Sequence, residues 1–194
     1  MRNFFVFFLL SSYFVIILSL EAEVSCNFYY GPVYSCNASF KQKPSHDNNM
    51  RIKADGRHEF NKTNVDVLGF TSSYSLVDNF PVNLHEIFPN LEVIKIQNAN
   101  LQKIDAVELE PFGAKLKELS LTNNSITVIN ADLFKFNPNL EIIDFSDNKI
   151  QFVAEDVFLN LNNLRLLRFN GNPCLSTDDL PLDDMWVNCT HYGK

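Results

Sequence analysis

A hydrophobic pattern that returns every 24 to 26 residues constrains the fold of this chain more than any other feature. Each copy places apolar residues at three positions, counted 0, 3 and 5 from its first residue. The copies begin at Val65, Leu91, Leu116, Leu140 and Leu164. One coil of this length cannot bury its apolar face alone, whereas stacked coils share a continuous core. The pattern therefore predicts a solenoid of about five repeats.

The repeat extends beyond the predicted strand, because asparagine occupies offset 8 in three copies. These residues are Asn124, Asn148 and Asn172. A buried side-chain amide donates and accepts hydrogen bonds, so the three can satisfy backbone groups at the sharp turns and stack into a ladder. The two earlier copies have Ala99 and Ser73 at offset 8. There we expect Asn98 or Asn100 to compensate, or the coil to open slightly.

The pattern LxxLxLxxNxL, in Leu116 to Ile126 and in Leu140 to Ile150, resembles the leucine-rich-repeat family over roughly residues 60 to 175. The resemblance implies an α/β-type solenoid, a right-handed horseshoe with a parallel β-sheet on its concave face. It also implies irregular or 3₁₀ structure on the convex side. Members of the family act in recognition, for example in immune sensing, adhesion or protease regulation, and none of these roles is singled out by the sequence.

The first 22 residues have the pattern of a secretory signal peptide. Arg2 is followed by an apolar stretch over residues 4–20, and Ala22 offers a small residue for cleavage. The alternative is an uncleaved anchor, because seventeen residues is near the lower limit for spanning a bilayer. Cleavage is favoured. We therefore expect a secreted, extracellular chain with no membrane insertion after signal cleavage.

The cysteines form two near-neighbour pairs, Cys26 with Cys36 and Cys174 with Cys189. An even count in a secreted chain argues for disulfides, although four cysteines allow three connectivities. Pairing within each end is favoured because short loops close more easily. We expect a disulfide-closed hairpin laid over the first coil, and a C-terminal cap that resembles the cysteine-bearing C-terminal cap of extracellular leucine-rich repeats but is shorter. The predicted domains are a signal peptide (1–22), an N-terminal cap (23–64), the repeats (65–172) and a C-terminal cap (173–194).

Charge and motifs argue against nucleic-acid binding and catalysis. The net charge is -7, which repels phosphate, and the one basic run is short. The four histidines are scattered, and no triad, metal or phosphate-loop motif occurs. We expect no enzyme activity and no cofactor. The carboxylates of Asp178, Asp179, Asp183 and Asp184 suit calcium, but solvated residues at the start of a short helix are favoured. We therefore expect no metal.

Four sequons for N-linked glycosylation begin at Asn37, Asn61, Asn123 and Asn188. Asn37 and Asn61 are the favoured sites. Asn123 adjoins the asparagine ladder and Asn188 precedes a cysteine, so access to both is expected to be poor.

Strand alternation defines a candidate binding surface, because offsets 2, 4 and 6 point away from the core, onto the concave face. The predicted binding residues are Val67, Val93, Lys95, Gln97, Glu118, Ser120, Thr122, Ile142, Asp144, Ser146, Leu166, Arg168 and Asn170. At offset 2, four of the five residues are apolar. Such residues either contact a partner, or are present because aliphatic residues favour β-strands, or are covered by a flanking loop. Five strands span about 19 Å, which suits a peptide or one edge of a protein.

These observations predict a secreted, non-catalytic module that binds an extracellular protein or peptide through its concave sheet. The alternative is a self-associating structural component of the extracellular matrix or fluid. Sequence alone does not choose a partner, because repeats of this kind specify a scaffold and surface residues specify the ligand.

Overall fold

The computed structural model describes residues 22–40, 51–73 and 77–174. Its strands are β1 (Ala22–Tyr30), β2 (Tyr34–Phe40), β3 (Ile52–Asp55), β4 (Gly69–Ser73), β5 (Val93–Gln97), β6 (Glu118–Ser120), β7 (Val128–Ile129), β8 (Ile142–Asp144), β9 (Phe152–Val153) and β10 (Leu166–Arg168). Eight of them form one sheet in the order β10-β8-β6-β5-β4-β2-β1-β3. From β2 to β10 every neighbouring pair in this sheet is parallel. The predicted solenoid with a long parallel sheet is confirmed.

The convex side carries little regular structure, as the sequence predicts. Two short α-helices, α1 (Leu84–Ile87) and α2 (Ala106–Leu109), and two 3₁₀ segments, Asn64–Asp66 and Glu110–Lys115, alternate with turns. Strands β7 and β9 pair in a separate two-stranded sheet. No helix within the described ranges is long and apolar enough to cross a bilayer.

The core follows the repeat. At offsets 0, 3 and 5, the coils that begin at Leu91, Leu116 and Leu140 bury every side chain to 1% exposure or less. Aromatic rings extend this core from coil to coil, and the ring centroids of Phe145 and Phe169 lie 5.4 Å apart. Burial of apolar surface at about 25 cal/mol per Å² is therefore the main stabilising contribution to the stack.

The register of the first coil differs from the prediction by two residues. Gly69, not Val67, lies beside Val93 of the next strand, so this coil begins at Val67. Val67 is fully buried, and its prediction as a concave-face residue is wrong. Val67 lies before strand β4, where side chains need not alternate. Within the strand a shift of two residues preserves which face each side chain takes, so Phe70 stays inside the core in both registers.

The N-terminal hairpin joins the sheet instead of lying over the first coil. Strands β1 and β2 pair antiparallel across a turn at residues 31–33, and a disulfide joins Cys26 to Cys36, as predicted. Strand β2 then pairs parallel with β4, and β3 adds a parallel strand beside β1. The hairpin thus covers the N-terminal strand edge by pairing with it, which removes a site for edge-to-edge aggregation.

The asparagines at offset 8 form a hydrogen-bonded ladder between coils. Asn148 is typical: its Nδ2 donates to Leu121 O (2.8 Å) and Phe145 O (3.0 Å), and its Oδ1 accepts from the Ile126 N–H (3.1 Å). Each amide therefore binds its own coil and the coil before it. The equivalent residues are Asn124 and Asn172.

At Ala99 the ladder is replaced by a contact between side chains. Asn100 Nδ2 donates to Asp78 Oδ1 at 2.7 Å, which links this coil to the one before it. Asn98 faces the other way, and its Oδ1 accepts from Asn123 Nδ2 at 2.7 Å. Of the two expected substitutes, Asn100 contacts the first coil.

Candidate recognition face

The outward surface of the main sheet, called the concave face here, carries three rows of side chains in register. The first row is Ser35, Gly69, Val93, Glu118, Ile142 and Leu166. The second row is Asn37, Thr71, Lys95, Ser120, Asp144 and Arg168. The third row, at offset 6, is Ser73, Gln97, Thr122, Ser146 and Asn170. Because neighbouring strands lie about 4.8 Å apart, each row is a closely spaced line of contacts.

The first row holds the apolar part of the face. Val93, Ile142 and Leu166 are half-buried, so each presents part of an aliphatic side chain to solvent. With the register corrected, this row contains three aliphatic residues instead of four, and Gly69 takes the place predicted for Val67. The two that lie side by side, Ile142 and Leu166, are in the C-terminal half of the sheet.

The charges on the face pair with one another across neighbouring strands. Lys95 Nζ lies 2.6 Å from Glu118 Oε1, and Arg168 Nη1 lies 3.5 Å from Asp144 Oδ2. Partly exposed pairs of this kind each contribute up to about 1 kcal/mol to stability. Their larger effect is to leave the face with little net charge, so the face attracts a charged partner only weakly during association.

A polar network positions the residues between these pairs. Gln97 Nε2 donates to Ser120 Oγ at 2.8 Å, and Ser120 Oγ lies 3.0 Å from Thr122 Oγ1. Ser120 is buried, contrary to its prediction as a residue that contacts a partner. It instead holds Gln97 and Thr122, which remain partly exposed, at fixed positions on the surface.

Comparison with known proteins identifies the repeats. Residues 114–173, which carry much of this face, match the family model described as leucine rich repeat. The chain has the solenoid fold of leucine-rich repeats. None of the curated proteins matches it.

Two solved structures are similar to this chain. A chain of the Toll–Spatzle complex, described as a molecular hub in Drosophila development and innate immunity, matches with a TM-score of 0.52 and 14% identity. The match covers 62% of this chain and 17% of the Toll-complex chain. A chain of the octameric complex of Latrophilin 3, Unc5D and FLRT2 gives a TM-score of 0.44 and 24% identity, covering 56% of this chain and 39% of that one. This leucine-rich-repeat chain thus spans less than half the length of either.

A turn residue with left-handed backbone follows the strand in the four coils that begin at residues 91, 116, 140 and 164, a feature that the sequence prediction missed. The residues at offset 7 are Asn98, Asn123, Asp147 and Gly171, with φ between 52° and 73°. Asparagine, aspartate and glycine tolerate this backbone region best. The residue type at offset 7 could therefore have predicted the turn. At Gly171 a Cβ would collide with the Asp147 carboxylate, which explains glycine there.

A ladder of ion pairs with alternating charge borders the leucine-rich-repeat sheet at offset 1. Lys117 Nζ lies 2.7 Å from Glu92 Oε2, and Arg165 Nε lies 3.1 Å from Glu141 Oε2. The hydrogen bond and charge of Glu92 raise the pKa of Lys117 above its ordinary 10.5, and Glu141 adds to the rise. Charges that alternate from coil to coil favour the observed register, because a slip of one strand would separate the paired charges.

The structure places three of the four sequons. Asn37 lies on the concave face, Asn61 in an exposed turn with φ of 57°, and Asn123 at the turn after β6. Asn188 lies outside the described residues.

The predicted signal peptide up to residue 21, the acidic cluster at 178–184 and Cys189 also lie outside the described residues. Cys174 is disulfide-bonded.

Within residues 22–40, 51–73 and 77–174, no group of three or more His, Cys, Asp or Glu side chains is arranged to hold a metal ion. Two cavities formed by these residues lie near β3. One, of about 620 Å³, is lined by Arg51, Glu86 and Asn83 among others, and an ion pair of 2.6 Å between Arg51 and Glu86 crosses it.

Proposed function

We propose that the chain is a secreted, non-catalytic recognition module that binds an extracellular protein or peptide through its concave face. The observation that carries the proposal is the row of partly exposed aliphatic side chains, Val93, Ile142 and Leu166, on a parallel sheet that fixes their spacing. Clusters of apolar anchors at the centre of a surface supply most of the affinity of protein interfaces.

The electrostatics of the face support a partner that is recognised by shape and apolar contact. Both charge pairs, Lys95 with Glu118 and Asp144 with Arg168, are internally neutral. A partner therefore gains little from net charge and must match the aliphatic row and the polar rim formed by Gln97 and its neighbours. Complementary polar groups at the rim give specificity more than affinity.

Three features support an extracellular location. They are the signal-like N-terminus, the disulfide between Cys26 and Cys36, and the glycosylation sequons. Structural disulfides persist mainly in oxidising compartments. The Toll chain, whose fold this chain shares, is found in a complex with Spatzle linked to development and innate immunity. Immune sensing and adhesion are therefore the processes in which we would look first for a partner.

The test replaces two anchors and compares them with a matched pair elsewhere. Ile142→Asp with Leu166→Asp places charges in the aliphatic row. The control, Val107→Asp with Leu159→Asp, makes the same kind of change at convex residues that are 67% and 71% exposed. A partner is first captured by crosslinking from the native extracellular fluid, and its affinity for all three proteins is then measured. Circular dichroism verifies that each variant is folded.

We expect the concave variant to lose at least about 100-fold in affinity, because two interface anchors of about 2 kcal/mol each are removed. The convex control should bind like the native chain. Equal affinity of a folded concave variant and the native chain would refute the proposal. Sedimentation tests the self-associating alternative: a monomer at high micromolar concentration argues against it, and a concentration-dependent oligomer favours it.

A further inference from the structure

A glycosylation acceptor lies in the second row of the concave face. Asn37 of β2 is in register with Thr71 of β4, and the row continues to Lys95. Its neighbours Cys36 and Ala38 are buried, at 0% and 3% exposure, so they point into the core. Because side chains alternate along a strand, the exposed Asn37 projects from the same surface as the recognition residues.

Both polar groups of this sequon are available for modification. Ser39, two positions on, is exposed on the same face as Asn37. Neither side chain makes a hydrogen bond to another described residue. The sequon at Asn123 differs, because its amide donates to Asn98 (2.7 Å) and its Ser125 hydroxyl donates to Asn100 (3.1 Å).

We infer that an N-linked glycan on Asn37 covers the N-terminal strands of the concave face, β1, β2 and β4, and confines the protein partner to β5, β6, β8 and β10. The inference rests on the proposed secretion and on the proposed recognition face. In the modification, the amide nitrogen of Asn37 forms a bond to the anomeric carbon of an oligosaccharide carried on a lipid pyrophosphate. The bond from that carbon to the phosphate oxygen breaks, the lipid pyrophosphate leaves, and the amide nitrogen loses one proton.

The neighbouring residues leave room for sugars. Gly69 and Thr71, on the strand beside Asn37, are small, so the sheet surface there is low. On the other side, Asn27 of β1 lies opposite Asn37, and Tyr29, two residues farther along β1 on the same face, presents a ring that is 40% exposed. An aromatic face of this kind can pack against the apolar face of a sugar.

The apolar anchors lie far from this acceptor. From β2, where Asn37 stands, β8 with Ile142 is four strand gaps away and β10 with Leu166 is five. At about 4.8 Å per gap these separations are about 19 Å and about 24 Å. The first sugars therefore lie over β1 and β4, while the side-by-side pair of aliphatic residues stays open.

The experiment uses the full chain secreted from eukaryotic cells. Peptide mapping after enzymatic release, which converts each glycosylated asparagine to aspartate, measures occupancy at every sequon. Hydroxyl-radical footprinting then compares the native protein with Asn37→Gln, and Asn61→Gln serves as the control that removes a glycan elsewhere. The expected result is occupancy at Asn37 and an about twofold rise in the labelling of Tyr29 in Asn37→Gln alone, since a glycan is a bulky surface group. Labelling of Ile142 and Leu166 should be equal in all three proteins.

The outcomes separate this inference from the proposed function. An unmodified Asn37 in a protein that is glycosylated at Asn61 overturns the inference and leaves the proposed function standing. Unchanged labelling of Tyr29 in Asn37→Gln overturns the covering role. A secreted chain without a glycan at any sequon overturns the inference and leaves the proposed function standing. Loss of partner affinity in Asn37→Gln also overturns it, because the partner would then contact the glycan or the N-terminal strands.

Discussion

The asparagine ladder shares its hydrogen bonds unevenly between coils, and two equivalent substitutions should therefore differ in cost. In Asn148→Ala, the carbonyls of Leu121 and Phe145 lose one amide donor. Each keeps a second, because Leu121 O also accepts from the preceding ladder amide (2.9 Å) and Phe145 O from the following one (2.9 Å). The Ile126 N–H alone loses its ladder partner.

Asn124→Ala removes more. Asn124 Nδ2 is the one ladder donor to Ile96 O (2.8 Å), because Ala99 stands where the preceding amide would be. The Leu101 N–H also loses its acceptor, Asn124 Oδ1 (3.0 Å). Two backbone groups are therefore left without a ladder partner, compared with one in Asn148→Ala.

A buried backbone group that loses its partner costs about 1–3 kcal/mol. We therefore expect Asn148→Ala to lower the free energy of unfolding by about 1–3 kcal/mol and Asn124→Ala by about 2–6 kcal/mol. The thermal midpoint should fall by about 2–4 °C for each kcal/mol in a chain of this size.

Urea denaturation followed by far-ultraviolet circular dichroism measures both free energies. The control is Asn163→Ala, which removes an exposed amide and should change the free energy of unfolding by less than about 0.5 kcal/mol. The reasoning is refuted if Asn148→Ala is as destabilising as Asn124→Ala, or more so.

Two further predictions concern the N-terminal region. Replacing Cys26 and Cys36 by serine opens a loop of sequence separation 10 and should lower the free energy of unfolding by about 3 kcal/mol, measured by urea denaturation; equal stability of the two proteins contradicts this. The pKa of Asp66 is lowered from its ordinary 3.8, first by the backbone N–H of Thr63 and then by Lys62. Because the pKa of this carboxylate is lower in the folded chain than in the unfolded chain, its ionised form stabilises the fold at pH values above the unfolded-state pKa. This stabilisation is lost as the pH falls through the folded-state pKa. The thermal midpoints of the native chain and of Asp66→Asn should therefore converge below pH 3.8. Midpoints that stay a constant distance apart from pH 7 to pH 2 would exclude this contribution.

The central coils could be predicted from the sequence because their inward positions are apolar without exception. The coils beginning at Leu91, Leu116 and Leu140 show the expected burial, and the ladder asparagines are in the expected turns. In these coils, the local spacing of apolar residues is enough to predict the fold, since each coil contacts only its neighbours.

The first coil could not be placed by the same means. Residues Val65, Leu68 and Phe70 satisfy the apolar pattern better than Val67, Phe70 and Ser72, yet the structure uses the second set. The observed register buries Ser72, a polar residue, at an inward position. A score for hydrophobicity therefore selects the wrong register, and Val67 was assigned to the surface.

The strand with which the hairpin pairs could not be predicted from the sequence either. The β-forming residues, the central turn and the disulfide of β1 and β2 are all local signals. Which strand edge the hairpin joins depends on contacts with β4, which lies about 30 residues farther along the chain. The hairpin itself was therefore predictable, and its place in the sheet was not.

The asparagine ladder makes each coil depend on the coil that follows it in the sequence. Each amide accepts from a backbone N–H of the coil before its own, so a coil is complete only when the next coil toward the C-terminus is folded. The donors that depend on a later coil are Leu101, Ile126 and Ile150. Unravelling from the C-terminal end strips these acceptors one coil at a time, whereas detachment of the N-terminal hairpin leaves every ladder amide in place. In an array held by nearest-neighbour terms, loss of one described coil therefore removes a ladder acceptor from the coil before it.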